Sequence, residues 1–318
     1  MRMILRALLV LAGLALSTEA QALCSLQPTT TTTFTAASSY DVRTAGAIAT
    51  VTAPTSLNCN GSLISIATVN TAKATVLSTN GFKLKNAAGD AISYRLSADS
   101  AGSYTFTQGG TIDYFSGSLV SLLGILNGAN FVPTMYAATI DTPNVPAGTY
   151  TDTVRVSWSW TICHGLGIGN VCVLSETGSG TTDMTIKITV GNDCRISAPP
   201  LSFGTAPLAS QFGSVTQAVA VDCTKDATYT VAFTSGNSGA SRPWRAMSDG
   251  AGNILQYNIY RTDGTTIWDM TNPMTSAVKG TGSTNPAQMQ TYVAKVNPSQ
   301  TTPPVGHYTD TVSVVIAF

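Results

Sequence analysis

The last fifteen residues of the chain repeat a segment found in its middle. Residues 146–160 read PAGTYTDTVRVSWSW and residues 304–318 read PVGHYTDTVSVVIAF, with eight of the fifteen positions identical. Upstream, Ile92-Ser93-Tyr94-Arg95-Leu96 is echoed by Leu255-Gln256-Tyr257-Asn258-Ile259. Cys59 and Cys223 precede those echoes, and Cys24 and Cys194 open each copy. A spacing of about 160 residues is that of a duplicated domain and is far too long for a solenoid repeat. The boundary is expected near Gly191-Asn192-Asp193, giving domains at residues 23–190 and 191–318.

Both copies read as short strands between polar turns. In the second, Tyr229-Thr230-Val231-Ala232-Phe233 alternates, and turn clusters such as residues 235–239 and Asp263-Gly264 separate it from later apolar runs. That rhythm predicts an all-β fold of two β-sandwich domains. Only 10% of the residues are charged, and 16 Lys and Arg balance 16 Asp and Glu. No basic face is available for nucleic acid or acidic lipid, so no nucleic-acid partner is expected.

Residues 1–22 predict an export leader. Arg2 and Arg6 flank an apolar run too short to span a bilayer, and Ala20-Gln21-Ala22 has the small-x-small form of a cleavage site. All six cysteines follow it, and an even count in an exported chain implies disulfides, with fifteen pairings open on paper. The repeat suggests Cys24 with Cys59 and Cys194 with Cys223, leaving Cys163 and Cys172 to pinch a Gly-rich hairpin. None lies in a C-x-x-C spacing and there are two histidines, so no metal or other cofactor is expected.

The copies differ after their shared strand. The first continues through the Cys163–Cys172 hairpin to a half-buried strand in which Met184, Ile186, Ile188 and Val190 alternate with Thr185, Lys187 and Thr189. The second shows no such sequel, and Val312, Val314, Ile316 and Phe318 are expected to edge an apolar groove. An edge so apolar invites a strand from another polypeptide. The alternative is that this strand is central in a sheet already complete.

The second copy resembles the spore coat protein U domain family. The resemblance rests on Cys194, Phe203-Gly204, Val221-Asp222-Cys223, Arg245-Ala246-Met247, residues 257–260, Trp268 and the closing Gly-x-Tyr-x-Asp-Thr-Val. The first copy keeps the cysteine pair, Tyr94 and the repeated strand but lacks the Phe-Gly and Arg-x-Met elements. The resemblance implies immunoglobulin-like, pilin-like sandwiches of archaic chaperone–usher pili, the C-terminal one completed by a donor strand. It also implies three partners: a periplasmic pilus chaperone, an outer-membrane usher, and an adjacent pilin subunit that donates the strand. Cys24 lies close behind the expected cleavage site and leaves no donor segment, which is the expectation for a tip subunit exported through the periplasm to the cell surface.

Two apolar stretches are candidate binding loops for an abiotic or host surface. Residues 114–140 hold no charge, and Leu119, Val120, Leu122, Leu123, Ile125 and Leu126 crowd together there. The Cys163–Cys172 hairpin carries Leu166, Ile168 and Val171 among glycines. Such residues mark interaction surfaces when exposed and core when buried. No catalytic residue is expected, because neither His164 nor His307 has a nucleophile or carboxylate arranged beside it in sequence. The expected function is therefore a non-enzymatic adhesive subunit supporting attachment and biofilm formation. Two alternatives are a spore-coat or pilus-shaft component without a receptor and a secreted lectin-like module, in which Trp158, Trp160, Trp244 and Trp268 would stack on sugars.

Overall fold

Alternation of apolar with hydroxylated residues dictates the longest elements of the fold. The chain is described by a computed structural model covering residues 24–28, 30–46, 48, 50–60, 70–117, 119, 130–163, 167–168, 171–172, 175–283 and 288–318. The expected leader at residues 1–22 lies outside the described residues.

The first half contains β1 (Cys24–Leu26), β2 (Thr30–Thr33), β3 (Ala37–Ser38), α1 (Ser39–Thr44), β4 (Val51–Pro54), β5 (Leu57–Asn60), β6 (Thr71–Ser78) and β7 (Lys83–Lys85). It continues with β8 (Ala91–Ser97), β9 (Thr111–Asp113), β10 (Asn130–Phe131), β11 (Thr134–Thr139), β12 (Gly148–Cys163), β13 (Gly167–Ile168), β14 (Val171–Cys172) and β15 (Ser175–Gly191). One sheet runs β2-β15-β12-β7-β8-β11-β4, with β6 also on β12, and a smaller one runs β1-β5-β10. β12 and β15 are antiparallel over sixteen register pairs, from Gly148 opposite Val190 to Cys163 opposite Ser175. Their inward residues Val154, Val156, Trp158, Met184, Ile186 and Ile188 are buried in one core with Leu57, Leu84 and Leu96. Alternation places their partners Thr153, Arg155 and Lys187 on the other face.

The second half contains β16 (Cys194–Ser197), β17 (Val215–Cys223), β18 (Thr230–Phe233), β19 (Arg245–Ser248), β20 (Ile254–Tyr260), β21 (Met274–Thr275), β22 (Gln288–Val296) and β23 (Val314–Ala317). A five-stranded sheet β16-β17-β22-β20-β19 faces a three-stranded sheet β21-β18-β23. Between them Val219, Val221, Tyr229, Val231, Phe233, Trp268 and Ala294 form a second core that shares no residue with the first.

The disulfides follow the repeat. Cys24 is bonded to Cys59 and Cys194 to Cys223, each across directly opposed strand positions, and Cys163 to Cys172 at the base of the β13–β14 hairpin.

Candidate functional site

Two tyrosines and one aspartate in each copy build the same corner twice. Tyr150 donates through its hydroxyl to the Pro146 carbonyl at 2.7 Å, and Tyr308 does the same to Pro304 at 2.7 Å. Tyr94 donates to Asp152 and Tyr257 to Asp310, both at 2.7 Å. Burial first, and the adjoining carboxylate second, hold both Tyr94 and Tyr257 far above the usual phenol range.

The surroundings of this corner differ between halves. Asp152 is buried and takes further hydrogen bonds from Ser78 and the Asn80 amide. Asp310 is half-buried and lines a groove of about 740 Å³. In the first half β12 is flanked by β6 on one side and β15 on the other. Its counterpart β23 pairs with β18, Val231 opposite Ile316 and Phe233 opposite Val314, and among the described residues nothing pairs with its other edge.

That groove runs beside the open edge. Leu255, Tyr257, Ile259 and Tyr292 line it from the larger sheet, Val312 and Val314 from the β23 side, and Leu201, Phe203 and Phe212 from the stretch after β16. In the first half the stretch after β1 forms β2, which pairs in parallel with β15 at Met184 opposite Thr30. The stretch after β16 forms no regular strand over residues 198–207, and it lines the groove instead. Sequence reading missed this wall; the signal was the apolar, proline-bracketed run from Pro199-Pro200 through Leu201 and Phe203 to Pro207. The expected edge residues are only partly gathered there. Val312 and Val314 line the groove, Ile316 packs on the core beside them, and Phe318 at the end of the strand is 56% exposed.

The candidate surface loops fare differently. Leu119 is fully buried in the first core, which removes it from the binding set. Its amide closes a turn onto the Ser116 carbonyl at 3.0 Å, folding the run back beside the Phe115–Phe131 and Tyr114–Trp158 ring contacts. Val120, Leu122, Leu123, Ile125, Leu126 and Leu166 lie outside the described residues. Ile168 and Val171 are placed by their backbones opposite each other in the β13–β14 hairpin. Trp158 and Trp268 are buried, with indole N–H groups on the Thr55 and Val231 carbonyls, and Trp160 is buried too. A sugar-stacking surface loses three of its four tryptophans. Among the described residues no three His, Cys, Asp or Glu side chains gather as a metal site, and no helix is long and apolar enough to cross a membrane.

The model of the Spore Coat Protein U domain matches residues 10–157 and 180–315, most of both copies. The chain belongs to the spore coat protein U domain family. No curated protein matches it. The CsuC–CsuE chaperone–tip adhesion subunit pre-assembly complex from archaic chaperone–usher Csu pili of Acinetobacter baumannii is similar in fold. The TM-score is 0.64 at 19% identity over 93% of this chain and 100% of that one. The CupB6 tip adhesin of Pseudomonas aeruginosa (TM-score 0.31, 11% identity, 93% of this chain and 94% of that one) is too distant to carry an argument. So is the CooA pilin subunit of enterotoxigenic Escherichia coli (0.29, 12%, 53% and 99%). Spore coat protein U domains in this chain thus form an all-β, pilin-like pair of cores; β12 is covered by β15, and among the described residues nothing pairs with the outer edge of β23.

Proposed function

We propose that this chain is the adhesive end subunit of a chaperone–usher pilus. Residues 191–318 act as the pilin domain that accepts a strand, and residues 23–190 as the tip domain that meets the surface. The observation that carries the reading is the contrast between β12, covered by β15, and β23, whose open edge borders an apolar groove. The likeness to the CsuC–CsuE complex supports a chaperone as the first occupant, with an usher and an adjacent pilin following it in assembly. Attachment and biofilm formation would then rest on apolar loops of the first half, without Leu119.

The chain carries its own template for the incoming strand. β15 sets Gly178 opposite Trp160, Gly180 opposite Trp158, Met184 opposite Val154, Ile186 opposite Asp152 and Ile188 opposite Tyr150. Through the repeat these positions of β12 correspond to Phe318, Ile316, Val312, Asp310 and Tyr308. The occupant is therefore an antiparallel strand with small residues facing Phe318 and Ile316, a threonine-like residue facing Val314, as Thr182 faces Val156, and apolar side chains at the next three alternate positions.

A synthetic peptide with the sequence of residues 178–191 tests this on the full chain. It should bind saturably and raise the unfolding temperature of the second half, and a version with Ile186→Asp and Ile188→Asp should do neither. Failure of the unaltered peptide to bind or stabilise, or equal action by both peptides, rejects the groove as a strand acceptor.

A further inference from the structure

Arg245 is fully buried, yet among the described residues no carboxylate forms a salt bridge with it. Its guanidinium donates instead to main-chain carbonyls, to Thr234 at 2.9 Å, Phe233 at 3.3 Å and Trp268 at 3.0 Å, and to the Asn258 side-chain oxygen. Asn258 is itself anchored, its amide nitrogen donating to the Ser241 and Pro243 carbonyls at 2.9 Å each. Arg245 stands on β19 in the five-stranded sheet, whereas Phe233 ends β18 in the opposite sheet and Thr234 follows it directly. Among the described residues β18 is the strand that holds β23, so the guanidinium ties the open edge to the sheet across the groove.

The first half supplies the comparison. There Lys85 pairs with Thr151, and in the second half Ser248 bridges Thr309, which aligns β7 with β19. On that alignment Arg245, opposite Tyr257, takes the place of Phe82, whose ring meets Tyr94 edge-on at 5.8 Å. Where β15 covers the edge an aromatic ring suffices. A buried cation with a planar fork occurs where the edge is open. Such a fork reaches several carbonyls at fixed angles, which the point charge of a lysine does not.

We propose that Arg245 is a positioning residue for strand acceptance, a strut that keeps the two sheets of the second half at the spacing an incoming strand requires. This rests on the strand-accepting reading above. The strut acts before the strand arrives, because an inserted strand would itself fix β23, as β15 fixes β12.

The test uses Arg245→Lys in the full chain and two readouts. In the peptide-free chain, amide exchange over residues 231–234 and 314–317 should quicken in the variant, whereas unchanged exchange overturns the proposal. With the peptide of residues 178–191, association should slow about tenfold while dissociation stays within about twofold, the reverse of an ordinary contact defect, which shows in dissociation. Equal loss in the free and occupied states marks an ordinary core residue and also overturns it. Asn258→Ala, which keeps the arginine and removes its anchor, should move both readouts the same way by less; no movement counts against the strut. If the wild-type chain binds no peptide, the strand-accepting reading fails by itself, and the exchange measurement still decides whether Arg245 holds the edge.

Discussion

At the scale of single residues, a phenol set in each copy reports on folding. Tyr150 is fully buried, and burial, with the Asp90 carboxylate next, pushes it up to about 12. An unfolded tyrosine titrates near 10. Between about pH 10 and 12 the unfolded chain gives up a proton that the folded one keeps, so stability falls as pH rises, and it is intact below that window. Tyr150→Phe should lose about 1 kcal/mol at neutral pH, having lost the bond to Pro146. It should also show a shallower decline over the alkaline window, read by chemical unfolding at a series of pH values. An equally steep decline would place the titration elsewhere.

Elements show why the covering strand has the sequence it has. β15 carries Gly178 and Gly180 where a Cβ would collide with the Trp160 ring and with Leu26. Neither has a positive φ, so the constraint is space: at Gly178 it is set by a rigid indole ring, at Gly180 by the movable tip of Leu26. Gly178→Ala should destabilise the first half by about 1–3 kcal/mol, the usual cost of overpacking. The second half should unfold unchanged in the same denaturant titration. The disulfides act at this scale too: closing loops of 35 and 29 residues contributes about 3–4 kcal/mol each in the chain-entropy account.

The whole molecule is joined by polar contacts. Arg43 of α1 reaches Asp222 at 2.6 Å, both nearly buried, and the Ser39 and Thr224 hydroxyls meet at 2.6 Å. Arg195 stacks 3.4 Å over the Tyr40 ring, Lys225 pairs with Asp90 at 2.8 Å, and Asn144 donates to the Thr281 carbonyl. Arg43→Met leaves Asp222 buried without its partner, a loss of about 3–5 kcal/mol for a buried pair. Scanning calorimetry should then show the transitions of the two halves drawing apart. High salt should do less, because a buried pair is weakly screened. If the variant melts as the wild type does, the Arg43–Asp222 pair does not couple the two halves.

Much of this was legible in the residues. Matching the two copies was enough to find both cores, the alternating strands and the cysteine partners, because strand burial follows a two-residue period and the duplication repeats its anchors. The repeated Tyr-Thr-Asp-Thr-Val segment showed where the copies diverge, although it is a strand only in the first, β23 beginning at Val314. Tertiary structure decided the rest. Leu119 reads like an exposed loop residue, yet a turn at Ser116 folds it into the core, and no local pattern encodes that packing. Residues 198–207 line the groove together with Val312 and Val314, more than a hundred positions further along the chain. Arg245 belongs to a recognisable motif, but its role rests on carbonyls 11, 12 and 23 positions away. Sequence by itself determined the strands and their duplication, since those are written in local periodicity. What lines the groove beside the last strand, and what braces the sheets around it, was decided by contacts between distant segments that only the folded chain brings together.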